Sequence, residues 1–371
     1  MLHADFYMPT RLFFGENALN KGKELLAGAG RHAMLVTGKH SARKSGALDD
    51  VTALLKNADI TYTVFDGITE NPPLLTCFEA GRIAAREGVE FVIGIGGGSP
   101  LDAAKAIAAF ATNPSLAPED IFDDSKRTEP TLPIFAIPTT AGTGSEVNNY
   151  SILTLPSGVQ KKTFKAADSW PRAAFVDPRY TATMSNETTL STALDAFAHA
   201  MESYLSPRST VFSENAALLA AREIFDVISA LPAEYDAEMR ARLALAATAG
   251  GMAISVTGTG FPHPLGYSLT LLDGIPHGRA CAVFAGDYIT YNEKSEIGRE
   301  RIASFAAAIG TKPAILKAFL PGVADVSLSM TGAEIERHVE LIAGAKNYTN
   351  SPYVISKEEI FDIYCAHFKT K

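Results

Sequence analysis

The chain has 371 residues, of which 47% are hydrophobic and 20% are charged, and its formal net charge is −8 at pH 7. This composition is typical of a globular protein with two domains and excludes a disordered chain. Because the net charge is negative and the basic clusters are short, we exclude nonspecific nucleic-acid binding.

Three further features bear on location. The N-terminal segment MLHADFYMPT lacks the basic and apolar stretches of a secretion signal. The three cysteines have no paired spacing, which argues for a reducing compartment and against a disulfide framework or a thiolate metal site. Residues 243–262 carry no charge, but glycines interrupt the run, so it predicts a buried helix followed by a loop. We therefore expect a cytoplasmic protein with no membrane partner.

Strands and helices alternate through the first half of the chain. The pattern predicts strands at 32–38, 61–67, 90–99, 133–140 and 173–178, helices at 45–58, 74–88 and 100–113, and a hairpin at 151–164. Continuous apolar strands that alternate with helices indicate a parallel sheet covered on both faces. We therefore predict a dinucleotide-binding α/β domain over residues 1–180.

The pattern becomes helical after about residue 180. Helical periodicity covers 187–205, 213–230, 234–256, 279–292, 297–309 and 331–345, and no convincing strand follows. Residues 181–371 are therefore predicted to form an all-helical domain that binds metal and substrate.

Two loops in the first domain favour a nucleotide. Gly97, Gly98 and Ser99 lie between a predicted strand and helix, where free N–H groups and the helix dipole suit a pyrophosphate. Ser99 is a natural N-cap, and Asp102 can cap from the first turn. The second loop carries Thr139, Thr140 and Thr143, whose hydroxyls can hydrogen-bond a ribose, a phosphate or a nicotinamide amide. Each loop alone could be an ordinary turn, but two such loops after parallel strands of one sheet are typical of nucleotide sites.

The turn after the first buried strand indicates which nucleotide. It contains Gly38, Lys39 and Ser41, followed by Arg43 and Lys44, with no acidic residue before Asp49. A ribose 2′-phosphate needs such a basic surface, so the turn predicts NADP(H) in preference to NAD(H). The alternative is a solvated basic turn without a ligand.

Four residues in the second half have the chemistry of a metal site. Asp195 and His199 are four residues apart on a predicted helix and share one face. His263 and His277 occur in the Gly/Pro-rich segments FPHPLGY and GIPHGRA, which we interpret as turns. Each residue alone could be a packed side chain. Together, three imidazoles and a carboxylate favour Fe²⁺ or Zn²⁺ over Ca²⁺ or Mg²⁺, and an open coordination position would make the ion a Lewis acid.

The segments GGGSPLDAAKAIA, PTTAGTGSEV, DPRYT, LDAFAHAMESYLS and HPLGY…IPHGRACAV resemble the iron-containing (group III) alcohol dehydrogenases. The resemblance begins at RLFFGENAL (11–19) and covers essentially the whole chain. It implies a Rossmann-like α/β domain, an all-α C-terminal domain, and hydride transfer between NAD(P)(H) and a small alcohol or aldehyde. It also implies a homodimer.

The resemblance also implies roles for individual residues. One divalent metal, Fe²⁺ first and Zn²⁺ as the alternative, would be held by Asp195, His199, His263 and His277. The cofactor-binding residues would be Gly97, Gly98, Ser99 and Asp102 at the pyrophosphate, Thr139, Thr140 and Thr143 near the nicotinamide, and Lys162 or its neighbour Lys161.

One position departs from the family. Many members have a second histidine four residues after the third metal ligand, and this chain has Tyr267 there. A proton relay through that histidine cannot operate, so Tyr267 either donates a proton or shapes the pocket. Alternatives for the whole chain are a zinc-dependent polyol oxidoreductase similar to glycerol dehydrogenase, a lyase of the dehydroquinate synthase type, and a noncatalytic nucleotide-binding protein.

Overall fold

The computed structural model describes residues 5–370, which form two compact units. An α/β unit contains residues 8–185 and 235–248, and a helical unit contains residues 5–7, 186–234 and 249–370. Residues 1–4 of the segment searched for a secretion signal, and residue 371, lie outside the described range. The domain boundary near residue 180 stays a prediction. The structure adds that the first part of the helix Ala237–Thr257 belongs with the α/β unit.

The α/β unit is built on a parallel sheet. Its strands are β1 (Arg11–Phe14), β2 (His32–Gly38), β3 (Thr61–Ile68), β4 (Phe91–Gly96), β5 (Ile134–Pro138) and β8 (Ala173–Val176), and β6 (Tyr150–Thr154) and β7 (Lys161–Lys165) form a separate antiparallel hairpin. The strand order in the sheet is β1-β8-β5-β4-β2-β3, with every pair parallel. Because β5, β4 and β2 are parallel neighbours, their C-terminal ends lie side by side at the same end of the sheet.

Helices cover both faces of this sheet. They are α1 (Ala18–Lys21), α2 (Lys23–Ala27), α3 (Ser41–Lys44), α4 (Ala47–Asn57), α5 (Leu74–Arg86) and α6 (Gly98–Thr112). Met34 and Val36 of β2 join the apolar core that α5 and α6 complete, whereas Ala33 and Leu35 join the opposite core with α4. Because neighbouring strand residues point to opposite faces, two buried faces require continuous apolar strands. The predicted Rossmann-like fold is confirmed.

The rest of the chain is helical. The helices are α7 (Asn186–Leu205), α8 (Val211–Ser229), α9 (Ala237–Thr257), α10 (Pro262–Leu272), α11 (His277–Ala282), α12 (Ala285–Asn292), α13 (Glu296–Ala308), α14 (Pro313–Ala324), α15 (Gly332–Ile342) and α16 (Lys357–Phe368). Among the described residues, no single helix is long and apolar enough to cross a membrane. Two pairs of helices, α9 with α10 and α13 with α14, have the necessary length and composition when taken together, but each pair is sharply bent.

Two predictions for this half were wrong in detail. The predicted helix 279–292 is two helices, α11 and α12, that begin earlier and break at residues 283–284. FPHPLGY is not a turn, because His263 is the second residue of α10. GIPHGRA lies outside a helix only over residues 274–276, and His277 is the first residue of α11, which is the helix entry that its neighbour Gly278 also allowed. The turn at FPHPLGY was predicted because prolines usually interrupt helices. Pro262 and Pro264 stand in the first turn of α10, where a helix leaves the backbone N–H groups unpaired in any case.

Candidate active site

The predicted metal ligands converge on one carboxylate oxygen in the helical unit. Asp195 and His199 are one turn apart on α7, and His199 Nε2 is 3.7 Å from Asp195 Oδ1. The Nε2 atoms of His263 and His277 lie 3.5 and 3.7 Å from the same oxygen. Ligands of one tetrahedral cation stand about 3.3–3.8 Å apart when the metal–ligand bonds are about 2.0–2.3 Å long. The structure therefore brings each of the three imidazoles to the distance from Asp195 that two ligands of one cation have.

Two of these donor atoms lack the partner that a buried polar atom normally has. Asp195 Oδ1 and His263 Nε2 are buried and have no hydrogen-bond partner within residues 5–370. Their side chains are 5% and 2% exposed, so solvent does not replace the missing partner. Buried polar atoms are nearly always paired, because an unpaired one costs free energy. The donor set therefore fits a divalent cation, which would be a shared partner for both atoms.

Glu202 fixes the orientation of one imidazole. Both carboxylate oxygens of this fully buried residue lie 2.8 Å from His263 Nδ1, and one also accepts a hydrogen bond from the Gly260 N–H. A carboxylate at Nδ1 holds the proton there and leaves Nε2 as the lone-pair donor. The sequence analysis missed Glu202, although it is one helical turn beyond His199 on the face of α7 that carries the ligands.

Burial and the opposite charges act against each other at this centre. Burial alone would raise the pKa of Asp195, but the surrounding imidazoles hold that pKa below its ordinary value. Burial would lower the pKa of His263, but the carboxylates of Glu202 and Asp195 raise it to about 10. The carboxylates that favour a proton on His263 would equally favour a cation, so cation binding and proton binding compete there.

Close backbone contacts fix where α11 starts. A Cβ atom on Gly278 would stand 1.7 Å from the carbonyl oxygen of Ser191 on α7. No side chain fits in this space, so only glycine lets α11 approach α7 this closely. Since His277 immediately precedes Gly278, this contact positions its imidazole beside Asp195.

Tyr267 borders the centre through its ring. It lies one turn after His263 on α10. Its ring stacks on that of His277, with centroids 5.4 Å apart and planes at 21°, and it meets the His263 ring edge-on at 6.3 Å. The phenol ring therefore packs against two of the four donors, and its role as a proton donor or pocket wall stays a prediction.

Cys281 also reaches the centre. It is buried, lies one turn after His277 on α11, and its Sγ atom is 3.8 Å from both ring nitrogens of His277. The ligand atoms of Asp195, His263, His277 and Cys281 all lie within 4.8 Å of one another. The spacing between cysteines gives no sign of this contact, whereas the four-residue spacing between Cys281 and His277 places both on one face of a helix.

The two predicted nucleotide loops contact each other in the α/β unit. The Thr139 N–H donates to Gly96 O over 2.8 Å. A Cβ atom on Gly97 would lie 3.2 Å from Thr140 Oγ1, and one on Gly98 would lie 3.0 Å from Thr143 Oγ1. Glycine at these positions lets the threonine loop close against the N-terminus of α6. The structure therefore brings together the main residues of both loops.

Asp102 is used inside the protein. One carboxylate oxygen accepts from Ser145 Oγ and the other from the Ile152 N–H over 2.8 Å. The ammonium group of Lys105, itself fully buried, donates to Ser145 Oγ over 2.7 Å and lies 3.8 Å from Asp102. Burial raises the pKa of Asp102, and the charges of Lys105 and Lys161 act against that rise. Asp102 therefore ties α6 to the threonine loop and to β6.

The remaining cofactor candidates lie on the surface. Gly38 ends β2, and Lys39, Ser41, Arg43 and Lys44 are exposed just after it. Lys162 is exposed on β7, with its ammonium group 4.4 Å from the centre of the Phe122 ring. Its neighbour Lys161 points to the opposite face of the strand and is close enough to Asp102 to act on the pKa of that carboxyl. Of the two lysines, the structure brings Lys161 towards the loops.

Family models match nearly the whole chain. The model described as iron-containing alcohol dehydrogenase matches residues 9–178. The model of the C-terminal part of the Fe-containing alcohol dehydrogenase family matches residues 189–368. The first match covers the sheet and both nucleotide loops, and the second covers all four converging donors.

Related proteins and solved structures that resemble the chain are alcohol dehydrogenases as well. The chain is 32% identical to the NADPH-dependent butanol dehydrogenase of Clostridium saccharobutylicum, over 82% of this chain and 77% of that protein. It is 31% identical to the 1,3-propanediol dehydrogenase of Klebsiella pneumoniae, over 78% and 75% of the two chains. An iron-containing alcohol dehydrogenase structure from Thermotoga maritima shares 38% identity with a TM-score of 0.91, covering 98% of this chain and 99% of that one.

These matches confirm the predicted resemblance, and with it an enzyme that oxidises or forms CH–OH groups with NAD(P). The chain belongs to the iron-containing alcohol dehydrogenase family.

Proposed function

We propose that Asp195, His199, His263 and His277 hold one divalent cation, Fe²⁺ first and Zn²⁺ as the alternative. The observation that carries the proposal is the approach of three imidazole Nε2 atoms to within 3.7 Å of one buried carboxylate oxygen. Imidazole and carboxylate ligands suit both ions, and the family description supports iron.

The reaction is hydride transfer between NAD(P)(H) and a small alcohol or aldehyde. A cation held by these four residues would supply Lewis acidity towards the substrate oxygen, and a bound nicotinamide would carry the hydride. The protein supplies position and electrostatics. Glu202 holds His263 with its Nε2 atom towards Asp195, Gly278 sets the start of α11, and Tyr267 forms one wall beside His277.

Metal analysis and activity together test this assignment. We expect His263→Ala to lose both bound metal and turnover in anaerobically purified protein. His367→Ala is the control, since His367 is a surface histidine that bonds Asp287. Normal activity in a metal-free His263→Ala protein would contradict the assignment.

We also propose that the enzyme prefers NADP(H). The support is the exposed basic segment after β2, with Lys39 and no acidic residue before Asp49. The sequence predicted a turn here, but Ser41, Arg43 and Lys44 belong to the short helix α3. Relatives include both an NADPH-dependent and an NADH-dependent butanol dehydrogenase, so this segment carries the argument. We expect a lower KM for NADPH than for NADH. Arg43→Ala should raise the KM for NADPH and leave that for NADH unchanged, and a clear NADH preference of the unmodified enzyme would refute the proposal.

The other cofactor contacts follow from the loops. Gly97, Gly98 and Ser99 would receive the pyrophosphate at the N-terminus of α6, and Thr139, Thr140 and Thr143 would contact the nicotinamide side. Asp102 would act by holding the two loops together, and Lys161 fits the role of the family lysine better than Lys162.

An aldehyde panel discriminates between the remaining functions. With NADPH and short aldehydes, the absorbance of the reduced cofactor should fall, whereas a noncatalytic binder would leave it unchanged. Rapid oxidation of glycerol with zinc bound would favour the polyol alternative. The apolar and acidic segments around the metal ligands argue against a phosphorylated substrate and thus against the lyase.

We infer a homodimer in the cytoplasm. Among the described strands, β1 forms one edge of the sheet and pairs only with β8, so a second copy could extend the sheet there. Light scattering of the purified protein measures the mass, and a monomer would refute the dimer. The inference of a cytoplasmic location rests on the three cysteines without paired spacing, and cell fractionation tests it.

A further inference from the structure

We propose that Lys105 is a positioning residue for the nicotinamide half of the cofactor, because its ammonium group holds residues 145–150 and, through them, the threonine loop. The inference rests on the proposed function, in which Thr139, Thr140 and Thr143 contact the nicotinamide side. It adds a residue that acts through this loop and not by touching the cofactor.

The ammonium group of Lys105 bonds several oxygens of one short segment. Lys105 lies in the middle of α6 and is fully buried. Its Nζ atom is 2.8 Å from Ser145 O, 2.7 Å from Ser145 Oγ, 3.2 Å from Asn148 Oδ1 and 2.6 Å from Tyr150 O. An ammonium group has three N–H donors and no acceptor. These converging oxygens therefore match the charged form of the side chain.

Two of the residues that Lys105 holds are bonded to the threonine loop. The Ser145 N–H donates to Thr143 Oγ1 over 3.3 Å, and the side-chain amide of Asn148 donates to Gly144 O over 2.9 Å. Gly144 has a φ of 60°, a left-handed conformation that glycine adopts without strain. Lys105 therefore fixes the two residues that hold the end of the loop.

Nearby carboxylates compensate the buried charge. Asp102 Oδ1 lies 3.8 Å from the ammonium nitrogen. Burial lowers the pKa of Lys105 to about 8, and the carboxylates of Asp102 and buried Glu146 act against that fall. Two further groups interact with Asp102, namely the thiol of Cys77 on α5, whose pKa burial raises, and Lys161 on β7. The ammonium form of Lys105 therefore predominates at pH 7 and is lost as the pH rises above about 8.

Stability of the core does not account for a charge at this position. Burying a charge costs free energy, and replacing a buried ion pair by apolar side chains is often neutral or stabilising. The neighbours of Lys105 on the helix, Ala104 and Ala106, join the apolar core. An apolar side chain at position 105 could fill space there, but only a donor can fix the oxygens of residues 145–150.

Nucleotide binding tests this role without turnover. The unmodified protein and Lys105→Met are titrated with NADPH and with 2′,5′-ADP, which carries the 2′-phosphate but lacks the nicotinamide half. We expect Lys105→Met to raise the Kd for NADPH by about 10-fold or more, the loss expected when a charge-assisted hydrogen bond no longer holds the loop. The Kd for 2′,5′-ADP should be unchanged. Lys56→Met, which alters an exposed lysine of α4 in the same unit, is the control and should leave both Kd values unchanged.

A second variant protects the test against misfolding. Lys105→Met leaves the buried Asp102 without the charge of Lys105, whereas Asp102→Asn combined with Lys105→Met makes both positions neutral. We expect this double variant to have the circular dichroism of the unmodified protein and the same selective loss of NADPH affinity. An unchanged Kd for NADPH in a folded form of either variant would refute the positioning role.

The pH dependence gives an independent measurement. In the unmodified protein, the ratio of the Kd for NADPH to that for 2′,5′-ADP should rise between pH 7 and about pH 9.5, because Lys105 loses a donor as it deprotonates near pH 8. Groups that contact the shared adenosine half cancel in this ratio. The ratio should be independent of pH in Lys105→Met, and a ratio independent of pH in the unmodified protein would show that the charge does not hold the loop.

The outcomes separate this inference from the proposed function. If Lys105→Met weakens NADPH and 2′,5′-ADP by the same factor, the loss is general, the positioning role is wrong and the proposed function stands. If the unmodified protein binds neither nucleotide, the proposed preference for NADP(H) itself fails, whatever Lys105 does.

Discussion

At the scale of single residues, Glu202 has the clearest test. Its carboxylate orients His263 and is held by the Gly260 N–H. Glu202→Gln keeps the size of the side chain but replaces the charged acceptor. We expect metal affinity to fall by about 10–100-fold, measured by competition with a chelator. The control is Glu214→Gln, because Glu214 lies on α8 outside the ligand group and pairs with Arg301. Unchanged affinity in Glu202→Gln would mean that His263 is oriented by other contacts.

Two variants of Tyr267 distinguish a role in proton transfer from a role in shaping the pocket. The ring, which stacks on His277, is retained in Tyr267→Phe and lost in Tyr267→Ala. We expect Tyr267→Phe to keep kcat over the whole pH profile, because the contact is made by the ring. Tyr267→Ala should raise the KM of the aldehyde. A general acid contributes roughly 100-fold or more to rate, so a loss of that size in Tyr267→Phe would establish the phenol as the proton donor.

The predictability of the site differed from residue to residue. Asp195 and His199 could be paired because helical spacing is a local property of the sequence. Glu202 and Cys281 also lie one helical turn from a predicted ligand, three residues after His199 and four after His277. A carboxylate and a thiol on an apolar helix have many ordinary roles, so the pattern alone did not distinguish them. Asp102 was interpreted as a helix cap. Its actual partners, Ser145 and Ile152, are 43 and 50 residues away, a contact that spacing cannot predict.

At the scale of elements, helix α10 shows what composition hides. The segment from Pro262 to Leu272 contains two prolines and a glycine, which usually indicate a turn. Its helix forms because both prolines fall in the first turn and because its apolar face is buried by tertiary packing. Apolar runs with strong periodicity, such as β2, β4 and α5, were predicted to within a few residues since burial on one or two faces leaves a direct pattern.

The packing of α10 against α15 gives a pH prediction. His338 of α15 is buried and bonds Ser268 Oγ through Nδ1 over 2.9 Å. Burial, aided by the charge of Arg337, lowers the pKa of His338 from 6.5 to about 4. Between these values the unfolded chain binds a proton that the folded chain does not, so the free energy of unfolding falls as the pH falls.

Between pH 6.5 and pH 5 the free energy of unfolding should fall by about 1.5 kcal/mol less in His338→Asn, which has no titrating group at this position, than in the unmodified protein. Urea unfolding of both proteins at the two pH values measures the difference, and the titration of every other group cancels in the comparison. His367→Asn is the control. The same pH slope in His338→Asn and the unmodified protein would show that His338 is protonated in the folded state.

At the scale of the whole molecule, the chain is not divided at a single point. Helix α9 is counted with the α/β unit up to Thr248 and with the helical unit from Ala249. Helical periodicity is continuous across this position, so the sequence carries no sign of the division. Domain membership depends on contacts between distant segments, whereas fold class depends on the order of elements, which the sequence does show.

The two ligands are therefore expected to stabilise different units. All four metal donors lie in the helical unit, on α7, α10 and α11, and both nucleotide loops lie in the α/β unit. A ligand at about 100 times its Kd adds about 2.7 kcal/mol to the state that binds it, and local opening reports such changes by region.

Hydrogen exchange measured by mass spectrometry tests this division. Removing the cation with a chelator should speed exchange in α7, α10 and α11 and leave β4 and α6 unchanged. Adding NADP⁺ should slow exchange at 97–101 and 139–145. The His263→Ala protein should resemble the chelated protein and not respond to the chelator. Faster exchange confined to the α/β unit after chelation would place the cation outside the four residues, because only ligands in the helical unit can protect that unit directly.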